Sequence, residues 1–471
     1  MIQHPFYDRI HEMTFLNKQY EEENSSFIIL YGRRRVGKTE LLRQFLKEKN
    51  GIFFLATESS SQENIKDFSA QCEVFLQDNS FHLIPFNSWE SIFSTLIHHN
   101  NFGKLDPNHK TIIIFDEFPY LIQADSSIPS VFQKIWDIQL SGLPVMFILC
   151  GSSVSIMESN VLGYKSPLYG RRTGQWKVNP LSFQYLHNFL PWEPADLVRT
   201  YSVVGGIPAY VQKFDKSISF WDNISNNILE KGSFLYNEAE ILLNYEFRQP
   251  ANYITLLRAI ASGKGTMGEI CNATGMDKGM VSKYLHTLLS LHILKDELPV
   301  TSHAGARGKK YRIIDPYLLF WFRYIYPNRT DLEFLRIEEV CESIKQTFDH
   351  HCGQCFEFLV RELILERMIL PDFSLEKIGR WWFKDIEIDI VGIDENTKSI
   401  VFCEVKWSDL NHSDVKKIYN KLKDRASHVL WQNEIRKETY CIVGRDISNI
   451  ESFNVDNIRV YDLKTIFQKL I

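Results

Sequence analysis

The stretch Gly32-Arg33-Arg34-Arg35-Val36-Gly37-Lys38-Thr39 constrains the fold of this chain more than any other. It fits G-x-x-x-x-G-K-[ST]. Phe27-Ile28-Ile29-Leu30-Tyr31 precedes it with strand composition, and Glu40-Leu41-Leu42-Arg43-Gln44-Phe45-Leu46 follows as a helix with Leu41, Leu42 and Phe45 on one side. Strand, glycine loop and helix together make a phosphate cradle. The glycines let backbone N–H groups close around phosphate oxygens, and the helix N-terminus adds partial positive charge. Lys38 is expected to reach the β- and γ-phosphates of ATP, and the Thr39 hydroxyl to ligate Mg²⁺. Every residue from Gly32 to Thr39 is therefore a candidate nucleotide contact.

Further apolar runs build a sheet around that loop. Gly51-Ile52-Phe53-Phe54-Leu55-Ala56 reads as a strand, and Ser59-Ser60-Ser61-Gln62-Glu63 as a helix cap. Thr111-Ile112-Ile113-Ile114-Phe115 ends in Asp116 and Glu117, the pattern of a buried parallel strand whose carboxyl end faces the ligand crevice. Beside a phosphate loop, Asp116 is expected to hold Mg²⁺ through water and Glu117 to polarise the attacking water. Two capping acids at a strand exit are the plain alternative. Pro144-Val145-Met146-Phe147-Ile148-Leu149-Cys150 is another buried strand, ending in Gly151-Ser152-Ser153. A serine there either senses the γ-phosphate or caps a helix. Tyr169-Gly170-Arg171-Arg172-Thr173-Gly174 offers two arginines. They either neutralise transition-state charge, in cis or from a neighbouring copy in a homo-oligomer, or are surface charge. Upstream, Arg9 either lines the base pocket or pairs with Glu12 or Asp8.

Composition excludes several classes. A chain of 471 residues, 44% hydrophobic, can bury several cores. Its net charge of −5 rules out a chain that is basic throughout, so any nucleic-acid surface must be local. The eight cysteines are mostly scattered among apolar residues, which fits a reducing cytoplasm better than a disulfide framework. Met1-Ile2-Gln3-His4-Pro5 has no basic or apolar leader pattern, and no apolar run approaches the ~20 residues of a membrane span. A cytoplasmic protein with no membrane partner is expected.

After about residue 246, a short helix (Thr266 to Thr274), a turn at Gly275 and a longer helix capped by Asp277 make a helix-turn-helix. Ile293-Leu294, a turn around Ser302 to Gly308, and Lys309-Lys310-Tyr311-Arg312-Ile313-Ile314 add a two-stranded wing. From Thr266 to Arg312 there are seven Lys or Arg against four Asp or Glu. Lys278, Ser282 and Lys283 on the second helix, and Arg307, Lys309, Lys310 and Arg312 in the wing, are candidate contacts to DNA phosphates; a protein-contact module is the alternative.

In the last segment His350-His351-Cys352-Gly353-Gln354-Cys355 suggests zinc, but one C-x-x-C that continues into a helix is weak grounds for it. The informative residues are Glu357, Asp389, Glu404 and Lys406. Glu387-Ile388-Asp389-Ile390-Val391 and Phe402-Cys403-Glu404-Val405-Lys406 both alternate polar with apolar. A hairpin turning at Glu395-Asn396-Thr397-Lys398 sets Asp389 opposite Glu404 and Glu387 opposite Lys406. Opposed carboxylates repel unless a cation sits between them. Either a divalent metal lies there, with Lys406 beside it, or the face is salt-bridged through Glu387–Lys406. The basic run Lys416, Lys417, Lys421, Lys423 and Arg425 follows, either along a phosphate backbone or as a solvated face.

Two resemblances sharpen these readings. Asp8-Arg9, the arginine-rich phosphate loop, Asp116-Glu117-Phe118-Pro119, Cys150-Gly151-Ser152-Ser153, Tyr169-Gly170-Arg171-Arg172 and Gly205-Gly206-Ile207-Pro208, in that order, resemble the archaeal-type ATPases of the AAA+/STAND branch of P-loop NTPases. The resemblance implies a nucleotide-binding sheet with a helical lid at about 180–245, Arg9 on the base side and Ser152 at the sensor position. It leaves open which of Arg171 and Arg172 is a finger. Helix glutamate, strand aspartate, hairpin and E-x-K look like the PD-(D/E)XK restriction-endonuclease-like fold. That likeness implies metal ligation by Glu357, Asp389 and Glu404 and a catalytic Lys406, with Ile388 standing where the pattern has proline.

The expected fold is thus α/β: a P-loop NTPase parallel sheet with helical lid (1–245), a winged helix (246–330) and a C-terminal restriction-endonuclease-like α/β domain (335–471). The expected function is ATP-dependent DNA processing, with Mg²⁺ or Mn²⁺ in the nuclease-like site. The alternative is a nucleotide-switch regulator whose C-terminal domain binds without cutting.

Overall fold

The computed structural model describes residues 6–79, 81–103, 109–247, 249–303, 305–453 and 457–468. Met1–Pro5 and Ala304, in stretches read above, lie outside them. The chain divides into two compact units, Met1–Leu181 with Ile207–Ala209, and Ser182–Gly206 with Tyr210–Ile471. The residues read as a lid therefore fall, beyond Leu181, mostly in the second unit.

The first unit is built on five parallel strands: β1 (Ser26–Tyr31), β2 (Gly51–Leu55), β3 (Thr111–Asp116), β4 (Val145–Gly151) and β5 (Gly174–Lys177). Their order is β2-β3-β4-β1-β5. β1, β3 and β4 are buried along their whole length, which explains their unbroken apolar runs. On one face Ile28, Leu30, Ile112, Ile114, Met146 and Ile148 pack with Leu41, Leu42 and Phe45 of the helix Lys38–Leu46. On the other, Phe27, Phe115 and Phe147 join an aromatic layer with Phe93, Phe132 and Trp136. Because β4 lies between β1 and β3, its carboxyl end comes between the phosphate loop and the Asp116–Glu117 corner.

In the second unit, Thr266 and Glu269 form a capping box on the helix Met267–Thr274, Gly275 ends it at φ 70°, and Asp277 caps the helix Lys278–Ser290. The hairpin of β6 (Leu294–Glu297) and β7 (Lys310–Ile313) follows. A 29-residue helix, Ile337–Leu365, leads to a separate five-stranded sheet. Its strands are β8 (Lys377–Phe383), β9 (Ile386–Asp394), β10 (Ser399–Leu410), β11 (Lys437–Ile447) and β12 (Ile458–Tyr461), in the order β12-β11-β10-β9-β8. β8, β9 and β10 are antiparallel neighbours, and β10, β11 and β12 run parallel. The helix His412–Ser427 connects β10 to β11 and covers the sheet with Leu422 and Ala426. The β9–β10 register runs from Ser399↔Asp394 to Cys403↔Ile390, as the hairpin turn implies. Among the described residues no helix is long and apolar enough to cross a membrane.

Candidate functional site

The phosphate loop leaves β1 at Gly32, where a Cβ would lie 2.3 Å from the Val178 carbonyl oxygen, so no side chain fits. Gly37 at φ 94° is the N-cap of the Lys38–Leu46 helix and favours glycine for its backbone angle. Lys38 is buried, and its Nζ donates to the carbonyl oxygens of Gly32 at 2.9 Å and Arg33 at 2.8 Å. Burial lowers its pKa, against the pull of the Cys150, Glu117 and Asp116 side chains. The ammonium is thus held inside the loop by neutral oxygens.

At the neighbouring strand ends, the Thr39 hydroxyl donates to Asp116 Oδ2 at 2.6 Å. Asp116 is fully buried, and its Oδ1 accepts the Glu117 backbone N–H at 3.0 Å. Glu117 has φ 54°, a left-handed backbone that turns its side chain toward β4. There its Oε2 accepts the Ser152 hydroxyl at 2.6 Å and the Ser152 N–H at 3.3 Å. Lys38, Thr39, Asp116, Glu117 and Ser152, from three separate stretches of the sequence, are brought together by β1, β3 and β4. The adjoining Thr39 and Asp116 oxygens suit a hard cation that keeps most of its waters and takes few protein ligands.

The arginines divide. Arg9 is buried; its Nη1 donates to Glu12 Oε1 at 3.0 Å and its Nη2 to the Val36 carbonyl at 2.7 Å. It pairs as the plain alternative has it and also braces the loop backbone. Arg34 donates to the Tyr120 hydroxyl at 2.6 Å. Arg35 adopts φ 69° within the loop. Arg171 Nε donates to both Asp137 oxygens at 2.9 and 3.0 Å, and its Nη1 to the Pro167 carbonyl at 2.9 Å. The next residues pass the amino end of β1, where the Thr173 N–H donates to the Phe27 carbonyl at 2.8 Å. The Arg172 guanidinium stacks 5.6 Å from the Tyr169 ring. Thr173 is thus some five strand residues, or about 16 Å, from the loop end of β1. Arg171 is committed to Asp137, a partner that spacing did not reveal.

The second unit holds its own charged cluster. Arg425 Nη1 donates to Glu404 Oε1 and Oε2 at 3.0 and 3.2 Å, and Lys406 Nζ to Glu404 Oε1 at 2.7 Å. Lys406 Nζ also lies 3.5 Å from Asp389 Oδ2, which accepts the Val405 N–H at 2.9 Å. Arg380 donates to Glu357 Oε2 at 2.9 Å and from its Nε to Glu387 Oε1 at 3.0 Å. The Glu387–Lys406 pair of the salt-bridged alternative does not form; Arg380 takes Glu387 instead. Burial, with Asp389 beside it, pushes the Glu357 carboxyl up to about 7. Burial works against the Lys406 charge, but Asp389 and Glu404 outweigh it and raise its pKa.

The restriction-endonuclease likeness implied Glu357, Asp389 and Glu404 as ligands of one metal; in this structure each of the three carboxylates lies against a cationic side chain. Both Glu404 oxygens are engaged by Arg425, Lys406 bridges Glu404 to Asp389, and Glu357 is tied to Arg380. Among the described residues no three Asp, Glu, His or Cys side chains converge to hold a metal ion. A divalent cation does not fit this arrangement, so no chemical step is routed through one.

Three of the four basic wing residues are also partnered. Lys309 donates to Asp296 at 2.6 Å, Lys310 Nζ lies 4.5 Å above the Trp382 ring, and Arg312 Nε is 3.6 Å from the buried Glu297. Lys278, Lys283 and Arg307 are exposed, as are Lys416, Lys417, Lys421 and Lys423. His351 is buried, donating to the Ser202 carbonyl at 2.8 Å and accepting from Arg323 at 3.1 Å. Burial and the Arg323 charge drive its pKa down to about 3. Burial pushes the Cys355 thiol up to about 12 and raises Cys352 as well, as for thiols packed in a core.

Residues 6–214 match a family described as an ATPase domain predominantly from Archaea. Residues 321–418 match one described as archaea bacterial proteins of unknown function. Over 454 residues the chain is 37% identical to an uncharacterized protein of Methanocaldococcus jannaschii, covering 95% of this chain and 97% of the relative. A 44-residue stretch is 50% identical to an uncharacterized ATP-binding protein of the same organism, covering 9% of this chain and 75% of that one. Among solved structures, the Walker-type ATPase of Pyrococcus abyssi is 23% identical and aligns over 68% of this chain and 96% of its own, with a TM-score of 0.49.

Proposed function

The chain belongs to the family of its full-length Methanocaldococcus jannaschii relative and carries the archaeal ATPase domain, and from that premise we propose an ATP-driven switch acting on a nucleic-acid-binding C-terminal half. The observation that carries the ATPase part is the meeting of Thr39 with Asp116 and of Glu117 with Ser152, each at 2.6 Å, next to the buried Lys38. Bound ATP offers Lys38 phosphate oxygens in exchange for the Gly32 and Arg33 carbonyls. Thr39 and Asp116 would hold Mg²⁺, which neutralises phosphate charge when bound. Glu117 orients the attacking water and draws on its proton, with Ser152 fixing the carboxylate until the γ-phosphate competes for the same hydroxyl. Arg9, through the Val36 carbonyl, keeps the loop in shape. A finger role for Arg172, in cis or from a neighbouring copy, belongs to the same reading.

For the C-terminal half, the reading is a winged helix over 246–330 and a restriction-endonuclease-like domain over 335–471. The helix pair at 267–290 with the β6–β7 hairpin supports the first, and the β8–β12 sheet with its Ile337–Leu365 helix supports the second. DNA is the proposed partner, contacted by the exposed Lys278 and Lys283 and by Lys416, Lys417, Lys421 and Lys423 of the His412–Ser427 helix. Binding without cutting is favoured by the neutralised Glu404 site.

The experiment is phosphate release by wild type and Glu117→Gln, with duplex binding followed by anisotropy under each nucleotide. The variant should keep nucleotide binding and lose turnover by about 10²-fold or more. Wild-type turnover in the variant would remove Glu117 from its role, and duplex affinity unaffected by nucleotide would remove the switch.

A further inference from the structure

The charged cluster of the second unit is larger than the E-x-K pattern. Beyond Glu357, Glu387, Asp389 and Glu404 it continues to Glu297 of β6, whose Oε1 accepts Arg361 at 2.7 Å. Arg312 of β7 lies 3.6 Å from Glu297, and its guanidinium is 5.8 Å from the Phe358 ring on the same long helix as Glu357 and Arg361. Five acids (Glu297, Glu357, Glu387, Asp389, Glu404) thus face five bases (Arg312, Arg361, Arg380, Lys406, Arg425). Each acid has a cationic partner within the cluster without any added ion. A divalent cation at Asp389 and Glu404 would raise the local charge there beside Lys406 and Arg425, where like charges already crowd.

The same cluster joins two elements distant in the chain. β6 and β7 supply Glu297 and Arg312, while the Ile337–Leu365 helix, β8, β9, β10 and the His412–Ser427 helix supply the others. Three further contacts follow the same line. The Val300 N–H donates to the Arg380 carbonyl at 2.9 Å, and the Val300 side chain packs on the core cluster of Trp381, Ile388 and Phe402. The Lys310 ammonium caps the Trp382 ring at 4.5 Å. The hairpin is therefore not a free wing; one side of it is seated on the edge strand β8.

We infer that Lys406 and Arg425 stand where a divalent cation would, and that the cluster works as a metal-free ionic clasp seating the β6–β7 hairpin on the C-terminal sheet. Phosphate contacts in this half then fall to the exposed helix lysines, and the wing acts as a strut that carries movement between the helix pair and the sheet.

The test uses the full chain carrying Thr39→Ala with Asp116→Asn, which removes the metal-attracting corner of the first unit, titrated calorimetrically with Mn²⁺ without nucleotide. The clasp predicts no saturable site, and a melting temperature unchanged by EDTA. A single saturating site that Asp389→Asn abolishes would overturn the metal-free assignment, and this arm needs no change in the cluster itself. Lys406→Met with Arg425→Met should create Mn²⁺ binding, because two carboxylates then lack their counter-charge. Glu297→Gln should speed hydrogen exchange of β6 and β7 while leaving β9 and β10 protected; unchanged exchange in the hairpin would remove the clasp.

Discussion

Two acidic corners of this molecule hold their carboxylates in opposite ways. In the first unit, Asp116 accepts the Thr39 hydroxyl and Glu117 accepts Ser152, both neutral donors. In the second, Glu404 accepts Arg425 and Lys406, and Glu357 accepts Arg380, all cations. A neutral donor fixes a carboxylate and leaves its charge available to a cation. A cationic donor fixes it and spends that charge. Similar residue types therefore make a metal-attracting corner in one place and a closed ionic network in the other. What decides is the partner, which is seldom near in sequence.

Changes that separate the two corners have effects of graded size. The largest is expected for Lys38→Ala, which should weaken ATP binding by about 100-fold or more because a point charge on the phosphates is lost. Equilibrium binding of a fluorescent nucleotide checks this, and melting of the C-terminal sheet should not respond. Next is Arg425→Met, which leaves Glu404 with Lys406 alone. It should cost about 1–3 kcal/mol, read as a lower melting temperature in the second unit with ATP turnover retained. A variant as stable as wild type would mean that Arg425 is not a counter-charge.

The third concerns a buried group held neutral in the second unit. His351 is driven from its ordinary 6.5 to about 3 in the fold. Between those values the unfolded chain takes up a proton that the folded chain refuses, so stability falls as pH drops below about 6.5, by up to about 1.4 kcal/mol per pH unit. His351→Gln should flatten that part of the pH–stability curve. The smallest effect is expected for Arg9→Ala, which removes the brace on the Val36 carbonyl: KM for ATP should rise about five-fold with kcat little changed, roughly 1 kcal/mol. A fall in kcat at constant KM would place Arg9 closer to the chemistry.

Much of the first corner was legible because its signals are local. The glycines, Lys38 and Thr39 are contiguous, and Asp116-Glu117 close an unbroken apolar strand. The β9–β10 register was also readable, since the loop from Glu395 to Lys398 and the alternation on both sides specify one pairing. Arg380 was not. It sits at a register shift between Gly379 and Trp381, and such irregularities re-aim a side chain in a way alternation does not foresee. Asp137 as the partner of Arg171, and Trp382 as the seat of Lys310, depend on tertiary packing between segments far apart in the chain. Arg425 appeared as part of a basic helix face; only the fold turns it inward to Glu404.

The most direct measurement is a count of Mn²⁺ bound to the wild-type chain in the presence of a non-hydrolysable ATP analogue, by electron paramagnetic resonance. The contrast between the corners predicts one ion per chain, lost in Thr39→Ala and unchanged in Asp389→Asn. A second ion that disappears in Asp389→Asn would contradict it.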